Sequence, residues 1–189
     1  SRDRWRREGR LREGAESVAG VVGDYALVID CRGRAGARED RFGFVPWEFS
    51  RGEMLEGIGQ TGWAPHVILN ARHWALPVEA GGLWLGATHE PGVTDPSPTA
   101  EGRATLEASA GKLLGTSWRV TGQRAGVRVH LPDKRPVAGR HPVHQNLGVL
   151  NGLGGKGALW APFLAQQWVR HLTHDEPFDP EIDVRRFVK

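Results

Sequence analysis

The residues best suited to chemistry lie between Leu147 and Leu172 of this 189-residue chain. A short apolar run, Leu147 to Leu150, reaches Asn151 and then a turn holding Gly152, Gly154, Gly155, Lys156 and Gly157. An apolar helical pattern leaves the turn through Leu159, Phe163, Leu164, Gln167, Trp168 and Leu172. The pattern predicts a strand, a tight bend and a helix N-terminus. The first turn of a helix carries unpaired backbone N–H groups, and glycines without Cβ atoms let a ligand approach them closely. Anions and electron-rich rings are the ligands such a turn suits. It is not the usual dinucleotide signature, because it sits near the C-terminus and no acidic residue follows about 20 positions on in a second strand.

Other reactive side chains are sparser. His141 and His144, like His171 and His174, have ligand-like spacing, but no cysteine or carboxylate cluster accompanies them, so no metal site is expected. His66, His73 and His89 flank three strand candidates and offer a pocket residue. No Gly-x-Ser-x-Gly elbow is present. The single cysteine, Cys31, excludes an internal disulfide, and its place after an apolar run predicts burial.

From Asp133 the chain reads Asp–Lys–Arg–Pro–Val–Ala–Gly139, then Arg140, His141 and Pro142; from Asn151 it reads Asn–Gly–Leu–Gly–Gly–Lys–Gly–Ala–Leu–Trp–Ala–Pro162. With Gly122–Gln–Arg124, Gly82 to Thr88, Arg51–Gly52 and Tyr25 to Gly33, these stretches resemble the FAD-dependent amino-acid oxidase (DAO) family, which includes the glycine and sarcosine oxidases. The resemblance implies FAD as cofactor. It places Asn151, Gly152, Gly154, Gly155, Lys156 and Gly157 against the flavin, and the strand end at Arg32 and Gly33 beside it. It makes Arg124 the arginine that pairs with a substrate carboxylate, with Arg128 near enough in sequence to be the pocket residue instead. The implied reaction oxidises the C–N bond of a small amine or amino acid by hydride transfer to flavin N5. Trp84, Trp118 and Trp160 would wall the site.

The resemblance covers only the family's later half, because the opening strand, glycine turn and helix that hold the ADP moiety have no counterpart. It therefore implies a completing nucleotide-binding segment, either upstream or on a partner chain. Two other classes stay open: a non-catalytic subunit that needs such a segment, and a flavoenzyme acting on another substrate class.

The elements that must position these residues follow from composition and periodicity. Lys+Arg 25 against Asp+Glu 22 leaves a formal charge of +3, too small to argue for nucleic acid. No apolar run reaches the roughly 18–20 residues needed to span a bilayer, so no membrane role is expected and the location expected is cytoplasmic. Residues 1–16 read as a charged leader and Tyr25 to Cys31 as a strand apolar on both faces. Phe42 to Phe49 suggests an edge or bulged strand around Pro46, and Val67–Ala71, His73–Val78 and Leu83–Thr88 suggest an antiparallel sheet. Thr99 to Gly115 reads as a helix capped by Thr99, with Leu106, Ala110, Leu113 and Leu114 inward. Ser117–Thr121 and Gly126–Leu131 read as two strands around a Gly122 turn, and Asp175 to Lys189 as a surface tail. The fold class expected is α/β: part of a three-layer FAD/NAD(P)-binding fold interrupted by an antiparallel-sheet substrate domain. Residues 1–50 and 132–189 belong to the former and 51–131 to the latter.

Overall fold

The computed structural model describes residues 2–14, 17–59, 64, 66–114 and 118–188, so the expected helix end at Gly115 and strand start at Ser117 lie outside the described residues. The strands are β1 (Val28–Asp30), β2 (Glu48–Gly59), β3 (Leu69–Asn70), β4 (Trp74–Val78), β5 (Gly82–Gly86), β6 (Glu90–Pro91), β7 (Trp118–His130), β8 (Val137–Arg140) and β9 (Leu147–Asn151). The helices are α1 (Arg2–Arg7), α2 (Val18–Val21), α3 (Arg34–Ala37), α4 (Ala100–Leu114) and α5 (Gly157–His174). The architecture is mixed α/β, with a small sheet and helices on one side and a larger antiparallel sheet on the other.

The small sheet has the order β1–β9–β8, with β1 parallel and β8 antiparallel to β9. Its side chains alternate between two cores. Leu147, Val149 and Val137 meet Phe42, Val45 and Val184 on one face. Ala138, Ile29 and Leu150 meet Leu164, Trp168 and Phe178 on the other. Burial on both faces is why these strands read as continuous apolar runs. Helix α5 comes close because the Trp168 indole lies on Gly148, where a Cβ would collide with it, and Trp168 Nε1 donates to the Val149 carbonyl at 3.3 Å.

The larger sheet runs β3–β4–β5–β2–β6, with β7 also paired to β2 along its whole length. Helix α4 packs Leu106 and Ala110 against Leu55, Ala75, Leu83 and Leu85. Thr99 caps it as expected, its Oγ1 accepting from Gly102 N at 3.0 Å. Beneath the cap lies Glu53, fully buried, whose carboxylate accepts from Thr99 N (2.9 Å), Thr99 Oγ1 (2.6 Å) and Gln123 Nε2 (2.7 Å). Arg51 stands 3.8 Å away and holds Glu90 through two nitrogens at 3.1 and 2.6 Å.

Several sequence expectations are corrected. The first strand is Val28–Asp30 rather than Tyr25–Cys31, and Cys31 is exposed, because the chain leaves the sheet at Asp30. Around Pro46 there is no strand: a 3-10 turn at Asp40–Phe42 drops Phe42 into the core, and β2 starts at Glu48. β2 therefore runs straight through the boundary expected between residues 50 and 51. Gly122 is not a turn, since it pairs with Glu56 inside one continuous β7, and a bulge at Glu56/Gly57 absorbs the irregularity. In α5, Leu164 and Trp168 are buried, while Leu159 and Leu172 of the expected apolar pattern are exposed. The segment after α5 is not a surface tail. Phe178, Ile182 and Val184 are buried, and Ala138 N donates to the Ile182 carbonyl at 2.9 Å.

Candidate active site

The two sheets meet where Gly154 N donates to the Val129 carbonyl at 2.8 Å, which fastens the turn after β9 to the end of β7. The cleft beside this junction has a volume of about 550 Å³. Its walls come from the turn (Gly152 to Lys156), from β7 (Arg128, His130), from Ser50 on β2, from Trp74 and Thr88, and from Trp160 on α5. Thus the glycine turn found in the sequence and one of the two candidate arginines line the same space.

The turn is held by Asn151, which is buried. Its Oδ1 accepts from Gly152 N at 2.8 Å, and its Nδ2 donates to the Gly33 carbonyl at 2.8 Å, tying the turn to the end of β1. Gly152 and Gly154 take φ of +75° and +55°, a region that L side chains rarely adopt. At Gly155 no atom stands within 4 Å of the place a Cβ would take. Lys156 is exposed at the α5 N-cap and Gly157 opens the helix.

Arg128 is half-buried and lies flat over Gly52 of β2, where a Cβ would fall on its guanidinium. Its Nη1 donates to the Thr88 carbonyl at 3.3 Å, and among the described residues no carboxylate pairs with it. Burial lowers its pKa from the ordinary arginine value, the mark of a cation whose charge the protein leaves uncompensated. Thr88 is itself fixed, since its N donates to the Glu53 carbonyl (3.1 Å) and its Oγ1 accepts from Glu53 N (2.9 Å). The buried Glu53 network therefore sets the seat of Arg128.

Arg124 is elsewhere. It sits four residues back along β7, two-thirds exposed, with Nε on Glu56 Oε1 at 2.7 Å. It does not line the cleft. Arg32 is held outside the cleft as well, by Asp30 at 2.7 Å and Glu39 at 2.8 Å. Gly33 does not line the cleft, and its carbonyl accepts from Asn151 Nδ2. Of the expected tryptophan walls Trp160 lines the cleft, Trp118 packs beside α4 and Trp84 is exposed. His89 lines the cleft, whereas His73 is buried against Ser109. His141 has both nitrogens engaged: Nδ1 accepts from Val143 N and His144 N, and Nε2 donates to the Arg41 carbonyl.

Trp74, Ser50 and His130 were not among the sequence candidates. Trp74 lies over Gly86, and its alternation with Ala75 was the available signal. Ser50 and His130 carried none, because their place depends on a register no single strand reveals. Ser50 Oγ and His130 Nε2 are buried and have no hydrogen-bond partner among the described residues, and both residues line the cleft.

The model of the family described as FAD dependent oxidoreductase (DAO) matches residues 6–170. The chain belongs to this family. Glycine oxidase of Pseudomonas putida is 29% identical over 177 residues, covering 92% of this chain and 48% of that protein. The tRNA 5-methylaminomethyl-2-thiouridine biosynthesis bifunctional protein MnmC of Maricaulis maris is 39% identical over 101 residues, 51% of this chain and 16% of that protein. The crystal structure of iminodiacetate oxidase from Chelativorans superposes with a TM-score of 0.71 at 22% identity, over 86% of this chain and 46% of that one. The chain spans about half the length of the glycine oxidase it matches.

The family match corrects one expectation. It takes in the stretch before β2 as well as everything through most of α5, so it does not support reading the chain as only the family's later half. The inference of a separate nucleotide-binding segment or partner chain is withdrawn with it. The cleft's residues fit the flavin ring of FAD: the glycine turn from Gly152 to Gly155 lines it and, at Gly155, leaves open the space a Cβ would take, which admits a flat group.

Proposed function

We propose that this chain supports the FAD-dependent oxidation of the C–N bond of a small amine or amino acid that carries a carboxylate, with Arg128 as the residue holding the carboxylate. The observation carrying the reading is Arg128 itself: a half-buried guanidinium without a carboxylate partner among the described residues, in the same cleft as the Gly152–Lys156 turn. A carboxylate presented to its remaining nitrogens gains charge-assisted hydrogen bonds in a poorly solvated place.

When bound, FAD supplies the two-electron acceptor, so that an amine becomes an imine and water releases the carbonyl product. The chain's own part is positioning. Arg128 fixes one end of the substrate, which sets the direction of its C–N bond relative to the turn. The Gly155 backbone N–H and the Lys156 ammonium would hold negative charge on the ring. Trp74 and Trp160 exclude water from the cleft's apolar side.

The test is a panel of small amines with and without a carboxylate, assayed with FAD-loaded protein. Arg128→Ala is expected to raise KM for carboxylate-bearing amines about ten- to hundredfold, the worth of hydrogen bonds to a charged group. Amines lacking the carboxylate are expected to lose little. Equal losses on both kinds of amine would refute the role given to Arg128.

A further inference from the structure

On the face of the larger sheet that carries Arg128, the side chains fall in rows across the strands. Directly paired residues share a face, as do residues two apart in one strand. One row runs Trp74, Gly86, Met54 and Arg124, and a Cβ on Gly86 would meet both the Trp74 indole and Met54. Another holds Ser50 and Arg128. The row between them pairs Gly52 with Gly126, so β2 and β7 put no side chain there.

A chamber of about 340 Å³ lies along this bare row, lined by Met54, Gly126 and Arg124 and also by Trp74, Ala87 and Arg128. The last three line the cleft as well, so the two spaces adjoin. Glycine inside a strand weakens it and often marks a place where another group approaches the backbone closely. At Gly52 that group is the Arg128 guanidinium. Gly126 has no such neighbour: it is exposed, and no atom stands within 4 Å of the place a Cβ would take. Arg124 leaves it clear, because its Nε is held by Glu56 Oε1 at 2.7 Å, four residues beyond Gly52 on β2.

From this geometry we infer that the chamber seats an extended, largely apolar substituent of the substrate, and that Gly126 sets how large the substituent can be. The inference rests on the carboxylate role proposed for Arg128. With its carboxylate on Arg128, the substrate keeps its α-carbon in the cleft and sends the substituent over Gly126, beside Trp74 and Met54. Arg128 and Arg124 are four strand residues apart, roughly 13 Å between Cα atoms. A chain of several carbons fits that span, whereas a glycine-sized substrate leaves the chamber unused.

The experiment is a calorimetric titration of the FAD-loaded chain with acetate, butyrate and hexanoate, for wild type, Gly126→Ala and Gly126→Val. In wild type the affinity is expected to rise along the series by about fourfold or less per added methylene, the worth of burying it. Gly126→Val, a residue suited to a strand, should cut the advantage of hexanoate over acetate at least about tenfold, and Gly126→Ala should cut it less. Oxidation rates with glycine, N-butylglycine and 2-aminohexanoic acid then show whether the substituent hangs on nitrogen or on the α-carbon; a gain over glycine with either supports the inference. Acetate and hexanoate binding equally well to wild type would overturn it while leaving Arg128 its carboxylate. A series as steep in Gly126→Val as in wild type would overturn it too, by placing the alkyl chain elsewhere. A folded wild-type chain that takes up neither flavin nor acetate would overturn both this inference and the proposed function.

Discussion

Arg128 and Gly52 act as a unit. The guanidinium lies where a β-carbon on Gly52 would be, so the glycine is what lets the arginine lie flat and face the cleft. Gly52→Ala is expected to push Arg128 off its seat and raise KM for a carboxylate-bearing amine with a smaller change in kcat. Steady-state kinetics split in that way would support a positioning role; a fall in kcat alone would not. The sequence contained both residues, but the Arg51–Gly52 pair spoke only through family resemblance, and Arg124 looked as good as Arg128. What separates the two arginines is a partner. Glu56 lies opposite Gly122 across β2 and β7 and reaches Arg124, while Arg128 lies opposite Ser50 and, among the described residues, pairs with no carboxylate. A cross-strand register of this kind joins residues about 70 positions apart, which local spacing does not encode.

At the level of elements, α4 and the β2–β7 ribbon share a single buried carboxylate. Thr99→Ala removes the α4 cap and one donor to Glu53, and is expected to cost about 1 kcal/mol or somewhat more in urea unfolding. Glu53→Gln places an amide where N–H and O–H donors converge, leaving buried groups unpaired, and is expected to cost about 1–3 kcal/mol. Because Thr88 hangs on Glu53 and Arg128 on Thr88, that variant should also loosen carboxylate binding. The elements themselves were partly legible. α4 with its Thr99 cap, the strand–turn–helix at Leu147 and three strands of the larger sheet all followed from periodicity and turn chemistry. The continuous β7 did not, because Gly122 is a turn signal in isolation and a ladder position only once Glu56 is paired to it. The buried segment after α5 was equally hidden, since Phe178, Ile182 and Val184 are too widely spaced to make a pattern.

Taken as a whole, the molecule should weaken in acid. Burial raises the Glu53 carboxyl, but hydrogen bonds from Thr99 and Gln123 and the charge of Arg51 outweigh it and bring the pKa below the usual glutamate value. Asp95 is lowered by Ser97, and burial lowers His73 and His141. All four bind protons more weakly when folded, so their stabilisation is complete above the unfolded pKa values and lost as pH falls through the folded ones. Unfolding free energy should hold from neutral pH to about 6.5, then decline through the histidine and carboxylate ranges. Urea midpoints that rise on acidification would contradict this. The central claim is that one cleft joins the glycine turn to Arg128 and takes a flavin and a carboxylate together. Its most direct measurement is the visible spectrum of the flavin-loaded chain titrated with a carboxylate that cannot be oxidised, such as acetate, in wild type, Arg128→Ala and Arg124→Ala. The account predicts a saturable spectral change in wild type, kept in Arg124→Ala and weakened at least about tenfold in Arg128→Ala. Loss in Arg124→Ala with retention in Arg128→Ala would contradict it.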